Sequence, residues 1–326
     1  MRCLMYLNRK VFFICLLSLL LGACRAGFLG LAPVGDRQEY TRARDCFNEG
    51  RYEQAVVELT EYIYKTKNVK RREVRAYRLL GLSYEHLDNP EKALEVYLEA
   101  LEFHPDNIPL LLAAAQLYQR TGLSDRSMEL YGQVLKEEPN NLAALSGQAD
   151  NYAAQGFYSK ARVLYDRFFE QEPNATPIYR ARYANTFLKQ REFSKAFQNI
   201  TLALNQEPEN PDFWLLSAKA RYGLSQTQEA LKDLNTALVL APERKDLLAQ
   251  KALWLYQEKS YEASLQTVQY ILTAEPEDPL ALFIKALNEY RLGKTVSARQ
   301  QLEKLSHDAP YSFTGKVAAK LLENNF

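Results

Sequence analysis

The chain has 326 residues, enough for two average domains or one repeat array, and a net charge of +1. That balance excludes a global electrostatic pull toward nucleic acid or anionic membranes. With only 13 Gly and 13 Pro, it is not a loop-rich or disordered chain.

The N-terminus reads as a targeting segment. A basic stretch, Met1 to Lys10, precedes the apolar run from Val11 to Ala23. The run falls short of the ~20 residues a spanning helix needs. A plain membrane anchor and an ordinary cleaved signal are the competing readings. The ending Leu21-Gly22-Ala23-Cys24 resembles the lipobox of bacterial lipoproteins, with a small residue before the cysteine. That resemblance implies cleavage between Ala23 and Cys24, lipid on the Cys24 thiol, and stable anchoring by two or three acyl chains. Arg25, rather than an aspartate, implies an outer-membrane position facing the periplasm. Residues 24–35 would be a short tether. Cleavage would remove Cys3 and Cys15 and lipidation would consume Cys24. Cys46 would remain as a single free thiol, so no internal disulfide is expected.

The rest of the chain is periodic. Prolines recur at Pro105, Pro139, Pro173, Pro208, Pro242, Pro276 and Pro310, at intervals of 34, 34, 35, 34, 34 and 34. Each ends a helical stretch, because proline lacks a donor and disfavours helix at the residue before it. Small residues keep step at Gly81, Ala115, Ala149, Ala184, Ala218, Ala252 and Ala286. A second set is Ala93, Ser127, Ala161, Ala196, Ala230, Ser264 and Ala298. Small side chains at fixed points let helices approach closely, and the intervening apolar spacing is helical. Each unit is therefore expected to be two antiparallel helices joined by a short turn.

Tyr77, Leu80, Gly81, Tyr84, Ala93, Tyr97, Ala100 and Pro105 resemble the pattern of the tetratricopeptide repeat. Eight repeats follow, at 36–69, 74–107, 108–141, 142–175, 177–210, 211–244, 245–278 and 279–312. The first has Lys67 in place of the proline, four residues (Lys70 to Glu73) precede the second, and one is inserted near Thr176. Residues 313–326 look like a capping helix over the last repeat. The resemblance implies an all-α fold, a right-handed superhelical solenoid.

Catalytic constellations are missing from the sequence. His86, His104 and His307 fall at unrelated repeat positions, and no zinc-protease, CxxC, Walker or nucleophile-elbow motif occurs. Cys46 with His86 is a poor nucleophile–base pair, because Cys46 takes a buried aromatic position, where cysteine is an apolar filler. No enzyme, cofactor or metal site is expected. The basic run Lys65 to Arg78 reads as a solvated inter-repeat loop. Contact with lipid headgroups is its alternative, and nucleic acid is not an expected partner of an exported chain.

In a solenoid of helix pairs the first helices line a binding surface. With position 8 of each repeat as zero, positions 4, 7 and 11 fall near about −40°, −100° and −60° and form the packed face. Positions 5, 9, 2 and 13 fall near about 60° to 140°, the groove sector by family resemblance. Position 9 holds Arg44, Leu82, Gln116, Asp150, Asn185, Lys219, Leu253 and Leu287. Family members hold peptide backbones with asparagines there. Only Asn185 matches, so neither an asparagine ladder nor a carboxylate clamp is implied. Arg37, Arg44, Arg75 and Arg78 make the early groove basic; Leu215, Leu253, Phe283 and Leu287 make the late groove apolar. Tyrosines at position 11 early in the array (Tyr84, Tyr118, Tyr152) move to position 12 later (Tyr222, Tyr256, Tyr290). That turns each ring about 100° toward the groove's edge, and a row of three partner-facing tyrosines is expected. The surface suits an extended protein segment. The expected function is a membrane-anchored, non-enzymatic scaffold for another envelope protein, by resemblance to assembly factors for outer-membrane proteins, secretion systems or pili. A periplasmic protein that captures a small apolar ligand near Phe283 is the alternative.

Overall fold

The computed structural model describes residues 34–65 and 73–324. Ala23, Cys24, the side chain of Arg37 and residues 66–72 of the basic run lie outside the described residues. Among those described, the structure is seventeen helices with no strand. They are α1 (Val34–Asn48), α2 (Tyr52–Lys65), α3 (Val74–His86), α4 (Pro90–Phe103), α5 (Ile108–Arg120), α6 (Ser124–Glu137), α7 (Leu142–Ala154), α8 (Tyr158–Gln171) and α9 (Pro177–Lys189). There follow α10 (Phe193–Leu204), α11 (Pro211–Gly223), α12 (Thr227–Leu240), α13 (Lys245–Gln257), α14 (Tyr261–Ala274), α15 (Pro279–Arg291), α16 (Thr295–Asp308) and α17 (Phe313–Glu323). The chain divides into two compact units, residues 1–147 and 148–326, and the division falls inside α7.

One backbone device makes every helical hairpin. Gly50, Asp88, Gly122, Gly156, Arg191, Ser225, Lys259 and Gly293 all have φ between 53° and 83°, and all stand at position 15. The next residue's N–H reaches back to the carbonyl at position 11, as in Leu123 to Tyr118 (2.8 Å) and Lys294 to Glu289 (2.8 Å). This is a Schellman closure, which needs one left-handed residue. Glycine supplies it freely; other residues pay roughly 1–2 kcal/mol for it. Ser225 is exposed with φ 62°. Ser225→Gly is expected to stabilise by about 0.5–1 kcal/mol, the strain relieved less the chain entropy glycine loses. Chemical denaturation of the two proteins checks it.

The next helix begins on a cap at position 34. Asn107 accepts from the Leu110 N–H (3.2 Å), Asn141 from Ala144 (3.1 Å), Asn210 from Asp212 (3.1 Å) and Asp278 from Ala281 (2.8 Å). These side chains satisfy donors that a helix start leaves open. The fourth and sixth repeats differ: Ala175 and Arg244 hold the position, and neither Thr176 before α9 nor Arg244 before α13 makes a side-chain cap.

Inside each unit the small residues bring paired helices together. Ala93, Ala115, Ala161, Ala196, Ala230, Ala252 and Ala298 are fully buried. Where serine replaces alanine, its hydroxyl donates across the pair: Ser127 to the Ala115 carbonyl and Ser264 to the Ala252 carbonyl, both at 2.8 Å. In unit 1, Tyr97 and Tyr131 are fully buried and donate to Glu85 (2.7 Å) and Gln119 (3.1 Å). Cys46 is buried. His86 stacks on Tyr52, with centroids 4.3 Å apart. In unit 2, α17 closes the end: Phe283, Ala286, Leu302, Leu305 and Ala318 form one cluster, with Leu287 packed against it.

Candidate partner-binding surface

In unit 1 the candidate residues Arg44, Arg75, Arg78 and Gln116 are exposed. Arg44 pairs with its neighbour Asp45 at 3.1 Å. Glu85, at position 12 beside them, is committed to the fold. It accepts from buried Tyr97 and, from the next repeat, from Arg120.

In unit 2 the surface is more differentiated. Asp150 is half-buried and accepts from Tyr165 and from Arg182 (2.6 Å). Burial pushes its carboxyl above the usual carboxylate range, and those two donors hold it back. Asn185 and Lys219 are exposed, Leu253 and Leu287 half-buried. Phe283 departs from expectation. Only 8% of its surface is open, because α17 covers the last repeat and turns the ring into core.

The three late tyrosines are all half-buried. Tyr222 stacks on Trp254, centroids 4.4 Å apart and 3° from parallel, and donates to Gln257 at 2.6 Å. Loss of water, then nearby Glu258, raises its pKa. Tyr256 accepts from Arg291 at 3.2 Å and leans on Tyr261. The hydroxyls of Tyr222 and Tyr256 thus engage position 13 of the next repeat, as Glu85 does in unit 1. This 35-residue link staples neighbouring first helices and was not foreseen from the pattern; its signal is the pairing of polar residues at positions 12 and 13 one repeat apart.

Sequence reasoning also missed the arrangement around Lys219. Arg244 bonds Asp212 (2.6 Å) and Asp246 (3.0 and 2.6 Å). Both carboxylates near Lys219 are therefore taken. Among the described residues, no group of three or more His, Cys, Asp or Glu could hold a metal ion. A cavity of about 970 Å³ is lined by Pro242, Leu248, Tyr270 and Ile271, on both helices of the seventh repeat and the loop before its first helix. Phe283 is not part of its lining.

Family models described as tetratricopeptide repeat match residues 74–117 and 215–279. Human RANBP2-like and GRIP domain-containing protein 1 is 38% identical over 65 residues, 20% of this chain. Human RANBP2-like and GRIP domain-containing protein 8 is 36% identical over 101 residues, 31% of the chain. The chain spans only 4% and 6% of the length of those two relatives. Among solved structures, a tetratricopeptide repeat protein from Parabacteroides merdae aligns with a TM-score of 0.60 and 16% identity, covering 78% of this chain and 98% of that one. The Cut9–Hcn1 hetero-tetramer of the APC/C aligns at 0.58 and 15% identity, covering 86% and 54%. YrrB, described as having an unusual peptide-binding site, aligns at 0.50 and 16% identity, covering 59% and 97%. At these identities the likeness shows the fold.

Proposed function

The chain is a tetratricopeptide-repeat protein, and from that premise we propose a non-enzymatic scaffold of a bacterial envelope, anchored by lipid on Cys24. It holds an extended segment of another protein along the first helices of its repeats. One observation carries the reading. In unit 2, the first helices α9 and α11 present exposed polar side chains, Asn185 and Lys219, which have no hydrogen-bond or ion-pair partner among the described residues. Both stand at position 9, in the sector by which the first helices of such solenoids bind extended partners. The half-open apolar residues Leu253 and Leu287 continue the same row and suit the side chains of an extended segment.

The anchor rests on the N-terminal sequence. Labelled fatty acid is expected to enter the wild-type chain and not Cys24→Ala; equal labelling refutes the anchor. The surface is tested by photo-cross-linking from the first helices.

A further inference from the structure

The cavity of about 970 Å³ in the seventh repeat has a counterpart in the eighth. The counterpart, of about 410 Å³, is lined by Pro276, Glu277, Leu282, Lys304 and Leu305. The seventh repeat has Pro242, Glu243, Leu248, Tyr270 and Ile271 at the same positions, 34 residues earlier. In both clefts a loop proline, a first-helix leucine and a second-helix aliphatic residue make an apolar wall, and a glutamate stands in the loop beside it.

The two clefts differ in what meets that glutamate. In the eighth repeat Lys304 reaches across from α16, and its ammonium lies 3.3 and 3.1 Å from the two carboxylate oxygens of Glu277. In the seventh repeat the same position is Tyr270 on α14, whose ring carries no charge and is 76% exposed. Glu243 is exposed too, and among the described residues neither side chain has a hydrogen-bond or ion-pair partner. The cations that follow Glu243 in sequence are committed elsewhere. Arg244 bonds Asp212 and Asp246, and Lys245 lies 2.7 Å from Glu275 and 2.9 Å from Asp278. The seventh cleft therefore keeps the carboxylate and the apolar wall of the eighth at more than twice the volume. It lacks the ammonium on a four-carbon stem that lysine supplies there.

We propose that the seventh-repeat cleft binds a small alkylammonium ion, a primary ammonium on an apolar stem that comes from outside the chain. The ammonium sits on Glu243, as Lys304 sits on Glu277 one repeat later. The stem lies along Pro242, Leu248 and Ile271, as a lysine stem covers apolar surface while its charge stays in water. Tyr270 stands at the rim, and the face of an aromatic ring attracts a cation. The volume suits a small molecule, since ligand sites fall at about 300–1,000 Å³. An anion is disfavoured, because Lys245 is already shared by two carboxylates while Glu243 is not neutralised. The site is separate from the first-helix row proposed to hold a protein segment, and neither depends on the other.

The test titrates the full chain, by NMR, with three probes of one stem length: hexylammonium, hexanol and hexanoate. Hexylammonium should bind most tightly and shift amide signals of α13 and α14. Lys304 and Glu277 are both more than half exposed, so the charge is worth what an exposed pair is worth. Glu243→Gln should accordingly weaken hexylammonium about fivefold. Tyr270→Lys should weaken it as much or more, because the chain then supplies its own ammonium. Glu277→Gln, one repeat later, should leave binding unchanged. All three positions are exposed, and circular dichroism checks that each variant is folded. Hexylammonium binding no tighter than hexanol or hexanoate overturns the proposal. So does undiminished binding in Glu243→Gln or in Tyr270→Lys, or an equal loss in Glu277→Gln.

Discussion

Replacing Gly81 with alanine is expected to destabilise the chain by about 1–3 kcal/mol, the range for overpacking a tight core. The repeat pattern recommends the opposite. The seven other repeats all carry alanine at this position, from Ala43 to Ala286, and glycine within a helix costs about 0.5–1 kcal/mol relative to alanine. The environment decides the sign. A methyl group on Gly81 would overlap the ring of Tyr97, which is fully buried and tied through its hydroxyl to Glu85 at 2.7 Å. The ring cannot yield without losing that bond or disturbing Ala76 and Ala100, also fully buried. Urea melts of Gly81→Ala should show the loss, and Tyr97→Leu in the same chain should remove most of the difference between glycine and alanine. A Gly81→Ala variant as stable as the wild type would mean the two helices separate more easily than their packing implies.

Asp233→Ala should cost about 2–4 kcal/mol, slightly below the range for breaking a fully buried ion pair. Asp233 is 5% exposed, accepts from Ser217 at 2.6 Å and lies 3.2 Å from the Arg221 guanidinium. Without it, Ser217 loses its acceptor in a dry site, and Arg221, over the ring of Phe197, loses its counter-charge. The Arg221 side chain is 28% exposed, so water softens the penalty. Arg221→Leu combined with Asp233→Leu should recover much of it, since no unmatched charge remains and only the Ser217 hydroxyl is left without its acceptor. The pH dependence has a definite sign. Burial raises the Asp233 carboxyl above its ordinary value of 3.8, while Ser217 and Arg221 oppose the rise. The folded chain therefore takes up this proton at a higher pH than the unfolded chain. The resulting stabilisation is complete below 3.8 and is lost as pH rises through the raised value. The gap between wild type and Asp233→Ala should widen as pH falls from neutral, and melts at several pH values read it.

The period made the helical hairpins legible. Helices α3, α5, α7, α9, α11, α13 and α15 begin at residues 74, 108, 142, 177, 211, 245 and 279, where the sequence repeats begin, because proline and cap residues recur there. Contacts between repeats were less legible. The left-handed turn residue is glycine in four repeats but Asp88, Arg191, Ser225 or Lys259 in the others, so composition alone hides it. The Glu85–Arg120, Tyr222–Gln257 and Tyr256–Arg291 links join residues 35 apart, and one helical wheel cannot show which position of the next repeat lies alongside. Phe283 looked like a groove residue because its angle is right; α17, a different element, buries it.

The central claim is that partners are held by the first helices and not by the outer faces of the second. Site-specific photo-cross-linking in the cells that make the protein tests this most directly. A photoreactive residue would replace Gln116, Asn185 or Lys219 on first helices. In separate chains it would replace Val163 or Tyr270, exposed on second helices at 59% and 76%. Cross-links to the same protein from Asn185 and Lys219, and none from Val163 or Tyr270, are the predicted result. Cross-links confined to Val163 or Tyr270 would contradict the account.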